Sequence, residues 1–148
     1  MTTEAQHSAF SSAIENGDIA VVRRLIHECL ELVDHPDWVP PPIHCAVLWN
    51  QPLVIELLLD SGADIETLDP DRQTTALRYA IMYNRPDVIP LLISRGANSG
   101  PIAAGGLSAL QLALECANGA YKQYEDLPAR DEYAAVLALL KQYGHPNA

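Results

Sequence analysis

Apolar residues recur along this chain in a fixed order. In IHCAVLWNQP, residues 43–52, Ile43, Ala46 and Val47 stand at i, i+3 and i+4, the spacing of one helix face. Val54, Ile55, Leu57 and Leu58 form a second such stripe. Between the stripes lie Asn50, the side chain best suited after glycine to a left-handed joint, and Pro52, suited to the first position of a new helix. The same order returns 34 residues later as LRYAIMYNRP, 77–86, with Asn84 and Pro86 in the matching slots.

The longer segments PPIHCAVLWNQPLVIELLLDSGAD (41–64) and TALRYAIMYNRPDVIPLLISRGAN (75–98) overlay without a gap. A third copy opens at SALQLALECA (108–117) and resumes at EYAAVLALLKQYG (132–144), after an insertion of 15 residues, NGAYKQYEDLPARDE (118–132). A degenerate copy, SAFSSAIENGDIAVVRRLIHECL (8–30), stands in front. Each copy predicts two short helices joined by a tight turn. The glycines of SGAD and RGAN end the outer helices. Ser108 with Gln111 gives a capping box, and Pro90 predicts a bend in an outer helix. Helix pairs of this length must stack on neighbours, and Arg24 and Lys141 place polar groups where the end copies meet solvent.

The segments LLLDSGADIE, LLISRGAN, PPIHCA, TALRYA and SALQLA resemble the ankyrin repeat, whose pattern is T-P-L-H-x-A at a period of about 33 residues. The resemblance runs over about 8–144. It implies an all-α solenoid of stacked helix-turn-helix pairs with hairpin-like fingers, a single domain over 1–148. The repeats are 6–35, 36–69, 70–103 and 104–146, the last carrying the insertion at 118–132. Pro41 replaces the Thr of the pattern, and Arg78 and Gln111 replace its His, changes expected to weaken the usual capping bonds. His44 falls on the structural His position, and Cys45 is its neighbour on the inner helix.

Composition narrows the function. The net charge is −10 with two lysines, Lys122 and Lys141, so nucleic acid and anionic membranes are excluded as partners. No apolar run approaches the ~20 residues of a membrane span, and the first residues lack the basic and apolar regions of a signal peptide. Three irregularly spaced cysteines, Cys29, Cys45 and Cys116, favour a reducing, cytoplasmic setting over a disulfide framework.

The resemblance also implies where a partner sits, across the inner helices and fingers. The inner-helix residues before each joint are Glu15–Asn16, Leu48–Trp49, Met82–Tyr83 and Glu115–Cys116. Together with Tyr79, the central pairs predict an exposed apolar strip with a polar rim, the composition of an interface hot spot. The alternative is that Trp49 and Tyr83 pack against each other or under a finger. The finger DHPDWVPPP (34–42) is stiff and holds Trp38, which either reaches a partner or folds back on the first repeat. The finger ETLDPDRQ (66–73) offers Asp69 and Asp71 to a basic patch on the partner, and SGPIAAGG (99–106) is Gly/Ala-rich. The insertion, with Tyr121 and Tyr124, either carries specificity or shields the end of the stack.

Signals for chemistry are thin. His27/Cys29 and His44/Cys45 lack zinc-ligand spacing, the acidic cluster Asp60–Asp71 lacks the EF-hand order, and no phosphate loop or nucleophile elbow occurs. No cofactor or metal is expected. The expectation is a non-enzymatic binding protein, monomeric when free, acting as an inhibitor, immunity protein or adaptor. Its rival is an enzyme or small-molecule binder with a pocket near His44, Trp38 and Trp49, in which Asp37 would assist His44.

Overall fold

Helix formation follows the apolar stripes. The computed structural model describes residues 2–101, 105–121, 127–128 and 130–143. Among these are eight α-helices and no strand: α1 (Glu4–Asn16), α2 (Ile19–Glu28), α3 (Pro42–Leu48), α4 (Pro52–Asp60), α5 (Ala76–Met82), α6 (Ile89–Ser94), α7 (Ala109–Ala117) and α8 (Ala134–Gln142). They alternate as the inner and outer helices of four pairs, so the expected all-α repeat class is met. Short 3-10 turns occupy Leu30–Asp34 and Arg130–Tyr133. Tyr124, Lys122 and residues 102–104 lie outside the described residues.

The chain divides into two compact units, residues 1–76 and 77–148, with the border one residue inside α5. In the first unit, α1 packs on α2 and α3, and α2 packs on α4, so each helix meets its counterpart one repeat on. Phe10, Val22, Ile43, Val54, Ile55 and Leu58 are each fully buried there. Burying a side chain of this size stabilises by about 1.5–3 kcal/mol, so the stripes supply the driving force and the caps set the boundaries. In the second unit, α8 packs on α6 and α7 around Leu92, Ala113, Val136 and Leu140.

The joints behave as their residues require. Asn50 and Asn84 adopt φ of 52° and 53°, and Gly17 and Gly119 take the same left-handed role in the first and last repeats. Gly17 has a second constraint, because a Cβ there would strike the Gln51 side chain. Gln51 crosses from the second repeat to donate from Nε2 to the Glu15 carbonyl at 3.0 Å. Gly62 and Gly96 end α4 and α6 at positive φ, with Ala63 and Ala97 each donating back to Leu58 and Leu92 at 3.0 Å. The Ser108–Gln111 capping box is present. A second box, Thr3 with Gln6, starts α1 ahead of the segment in which repeat similarity is visible.

Three expectations about local structure change. Pro86 does not open an outer helix, and Pro90 does not bend one. A helix begun at Pro86 would set the Pro90 ring against the carbonyl four residues before it, so α6 starts only at Ile89 and Pro90 falls in its first turn. The last inner helix, α7, runs two residues longer before its left-handed residue, Gly119, so Glu115 and Cys116 do not sit at the joint. Of the insertion, Asn118–Ala120 form a turn and Arg130–Asp131–Glu132–Tyr133 a 3-10 turn.

Left-handed geometry costs an ordinary L-residue roughly 1–2 kcal/mol. Asn50→Gly is therefore expected to leave the urea midpoint close to wild type, and Asn50→Val to lower stability by about 1–2 kcal/mol, as read by equilibrium denaturation.

Candidate functional site

His44 is the residue on which the sequence raised a choice between catalysis and structure. It lies on α3, fully buried, and its Nε2–H donates to the Thr74 carbonyl at 2.8 Å. That carbonyl also accepts from Asp69 N at 2.9 Å, closing the finger hairpin over 69–74, and Gln73 N returns to Asp69 O at 2.7 Å. A single carbonyl thus ties finger to inner helix. Burial lowers the His44 pKa below 6.5 despite the Thr74 bond and the nearby Asp69 charge, so the ring is neutral at pH 7.

Cys45 does not complete a reactive pair. Burial, reinforced by Asp69, pushes its thiol up to about 11, and its Sγ donates to Pro40 O at 3.6 Å. A thiol of that pKa is almost wholly protonated at neutral pH and is a poor nucleophile. Cys116 is raised to about 11 by its own burial. Among the described residues no group of three His, Cys, Asp or Glu side chains is arranged to hold a metal.

Arg78, in the His slot one repeat on, keeps a clamp where its substitution was expected to weaken one. It is buried, and its Nη2 donates to Gly100 O at 2.9 Å and to Leu107 O, the carbonyl preceding Ser108 just as Thr74 precedes Thr75. A guanidinium reaches farther than an imidazole and serves two carbonyls. Gln111, in the last copy, turns back to accept from the Ser108 N–H.

The expected strip of exposed apolar residues is present only in part. Trp49 caps α3 and is 48% exposed, with Leu48 half-buried beside it. Tyr79, Met82 and Tyr83 are buried, at 5–7% exposure. Tyr79 and Tyr83 lie against each other with ring centroids 4.6 Å apart, and the Tyr133 hydroxyl donates to the Met82 carbonyl. Tyr133 is itself buried, which raises its hydroxyl pKa. These rings contribute to the core of the second unit instead of offering surface.

Two further candidates prove structural. Trp38 folds back onto the first repeat, stacking on His7 at 4.0 Å and on Phe10 at 5.3 Å. Asp69 is 2% exposed and accepts from the Asp71 N–H at 3.1 Å, an Asx turn that shapes the finger. Asp71 remains exposed. Leu53, 63% exposed in the first turn of α4, was not anticipated. Its signal was its place outside the buried set Val54, Ile55 and Leu58. Three cavities of the first unit have volumes of about 540, 250 and 80 Å3, and neither His44 nor Trp49 lines any of them.

A helical repeat whose inner-helix side chain is bonded to the next finger defines a repeat-array class of binding scaffold. A family model described as ankyrin repeats in three copies matches residues 43–127. The chain belongs to the ankyrin-repeat family. Repeats of this family generally mediate protein–protein interaction and are typically non-enzymatic modules. A search of curated proteins gives no match. No helix among the described residues is long and apolar enough to cross a membrane.

The depressed His44 pKa has a definite pH consequence. Below 6.5 the unfolded chain takes up a proton that the folded chain resists, so the contribution is complete above 6.5 and is lost as pH falls toward the folded value. Asp34, raised above 3.8, acts in the opposite sense. Since it is common to wild type and His44→Gln, comparing the two isolates His44. Between pH 7.5 and 5.5 wild type is expected to lose stability more steeply than the variant, on the order of 1 kcal/mol per pH unit at most, in urea titrations.

Proposed function

We propose that this protein works by gripping a partner protein, as an inhibitor, immunity factor or adaptor, with the α3–α4 turn of its second repeat as the anchor. Trp49 carries the reading. A tryptophan half open to water on a well-packed scaffold, with Leu48 before it and Leu53 just past the joint, is the composition of an interface centre. Scattered single apolar residues on a surface need no explanation. Here Trp49 and Leu53 flank one short turn, and their neighbours Val47 and Val54 are fully buried, so the turn is held rigid.

Asp71, exposed on the finger, and the net charge of −10 favour a partner with a basic patch. Such charges raise the rate and selectivity of encounter more than the affinity. Tyr79, Met82, Tyr83, Trp38 and Asp69 have no part in the anchor, since each is already engaged within its own unit. His44 and Cys45 are scaffold for the same reason.

Trp49→Ala is expected to weaken capture of the partner by about 2 kcal/mol or more while leaving the thermal midpoint nearly unchanged. Quantitative affinity capture from native lysate, with wild type and variant as baits, tests it. A protein held by wild type and lost by the variant supports the anchor; identical capture by both removes it.

A further inference from the structure

A second concavity lies on the first unit at the ends of the outer helices. Two hollows adjoin there, sharing Asp34, His35 and Pro36. The larger, about 540 Å3, is bounded by Leu30, Glu31 and Val33 on one side and by Ser61 and Gly62 at the end of α4 on the other. The smaller, about 250 Å3, continues past Trp38 and Pro41 to Leu68 and Pro70. The first volume alone is within the range of ~300–1,000 Å3 of ligand sites, and both hollows open to solvent as a groove.

Its walls combine apolar side chains with acidic ones. Leu30 is 63% exposed and Leu68 38% exposed, so both offer apolar surface to the groove. The acidic side chains along the groove are those of Glu31, Asp34 and Asp64, and the C-terminal end of α4 adds the negative pole of its dipole. His35 is the only base among the lining residues, and its Nδ1 faces the Asp37 carboxylate at 3.9 Å. Neither Asp34 nor Asp64 pairs with a lysine or arginine among the described residues. Asp34 Oδ2 instead accepts the Asp64 N–H at 2.8 Å, which brings the two acids together. Burial first, and then the Asp64 carboxylate, hold Asp34 above its ordinary pKa in spite of that bond. A cation in the groove would relieve this repulsion, and the planar fork of arginine suits two adjacent carboxylates better than the point charge of lysine.

We propose that this groove receives an extended segment of a partner protein in which an arginine is flanked by apolar residues, the guanidinium between Asp34 and Asp64 and the flanking side chains on Leu30 and Leu68. The site goes beyond the Trp49 anchor and does not depend on it, since Trp49 lines neither hollow.

The test is an array of capped pentapeptides with two apolar residues on each side of a central Arg, Lys, Gln or Glu, titrated into 15N-labelled full-length protein. Arginine members are expected to shift the amides of Leu30, Asp34 and Gly62, and to bind at least about tenfold tighter than their glutamine counterparts at low salt. Asp34→Asn keeps an acceptor oxygen for the Asp64 N–H, so its thermal midpoint should hold while the arginine preference disappears. Trp49→Ala should leave the titrations unchanged. The proposal is overturned if no arginine member shifts those amides, if glutamine or lysine members bind as tightly, or if the shifts centre on Trp49. It is also overturned if a second copy of the chain fills the groove, seen as a dimer in sedimentation that Leu30→Ser splits. Failure here leaves the Trp49 reading standing, and the converse holds.

Discussion

One kind of hydrogen bond ties each of the two central repeats to the next: a buried side chain on the inner helix reaches the carbonyl just before the residue that opens the following inner helix. His44 makes it to Thr74, and Arg78 makes its counterpart to Leu107. A buried donor left without an acceptor costs about 1–3 kcal/mol, so each bond ties the following finger to the buried side chain before it. Apolar stripes drive the helices together, but they do not specify a finger. The finger over 69–74 is specified by convergence of His44 Nε2 and Asp69 N on one oxygen.

Packing around each repeat then decides which side chains are left at the surface. Two aromatic residues in equivalent slots, Trp49 and Tyr83, have opposite fates. Tyr83 lies against Tyr79, and Tyr133, which directly precedes α8, bonds the carbonyl of Met82. Trp49, on the second repeat, stands half exposed among the described residues. The proposed anchor therefore rests on the second repeat, and the proposed acidic groove lies on another part of the same unit. Residues that looked reactive in isolation, His44 and Cys45, are held neutral by burial and belong to the frame.

The repeat architecture was legible because it rests on local rules: apolar spacing, left-handed Asn50 and Asn84, glycine after the outer helices and the Ser108–Gln111 box. Burial at the site was less legible. Periodicity assigns a residue to a slot, but exposure depends on what packs there, and Tyr133 follows an insertion that has no counterpart in the other repeats. The late start of α6 is legible in the sequence, since a proline four residues after Pro86 forbids a helix starting there. Trp38 was an even choice from sequence, and its stack on His7 and Phe10 depends on how the stiff finger folds back. The contacts of Arg78 are not legible from the family pattern, which supplies the loss of a histidine and not the reach of its replacement.

The clamp itself is open to direct measurement through Arg78→Met, which keeps much of the apolar stem and removes the donors. Equilibrium urea denaturation should show a loss of about 2–4 kcal/mol, partly restored in Arg78→His, because a single imidazole donor can serve one of the two carbonyls. A stability equal to wild type in Arg78→Met would contradict the account, since the finger of that repeat would then be held by something other than this bond.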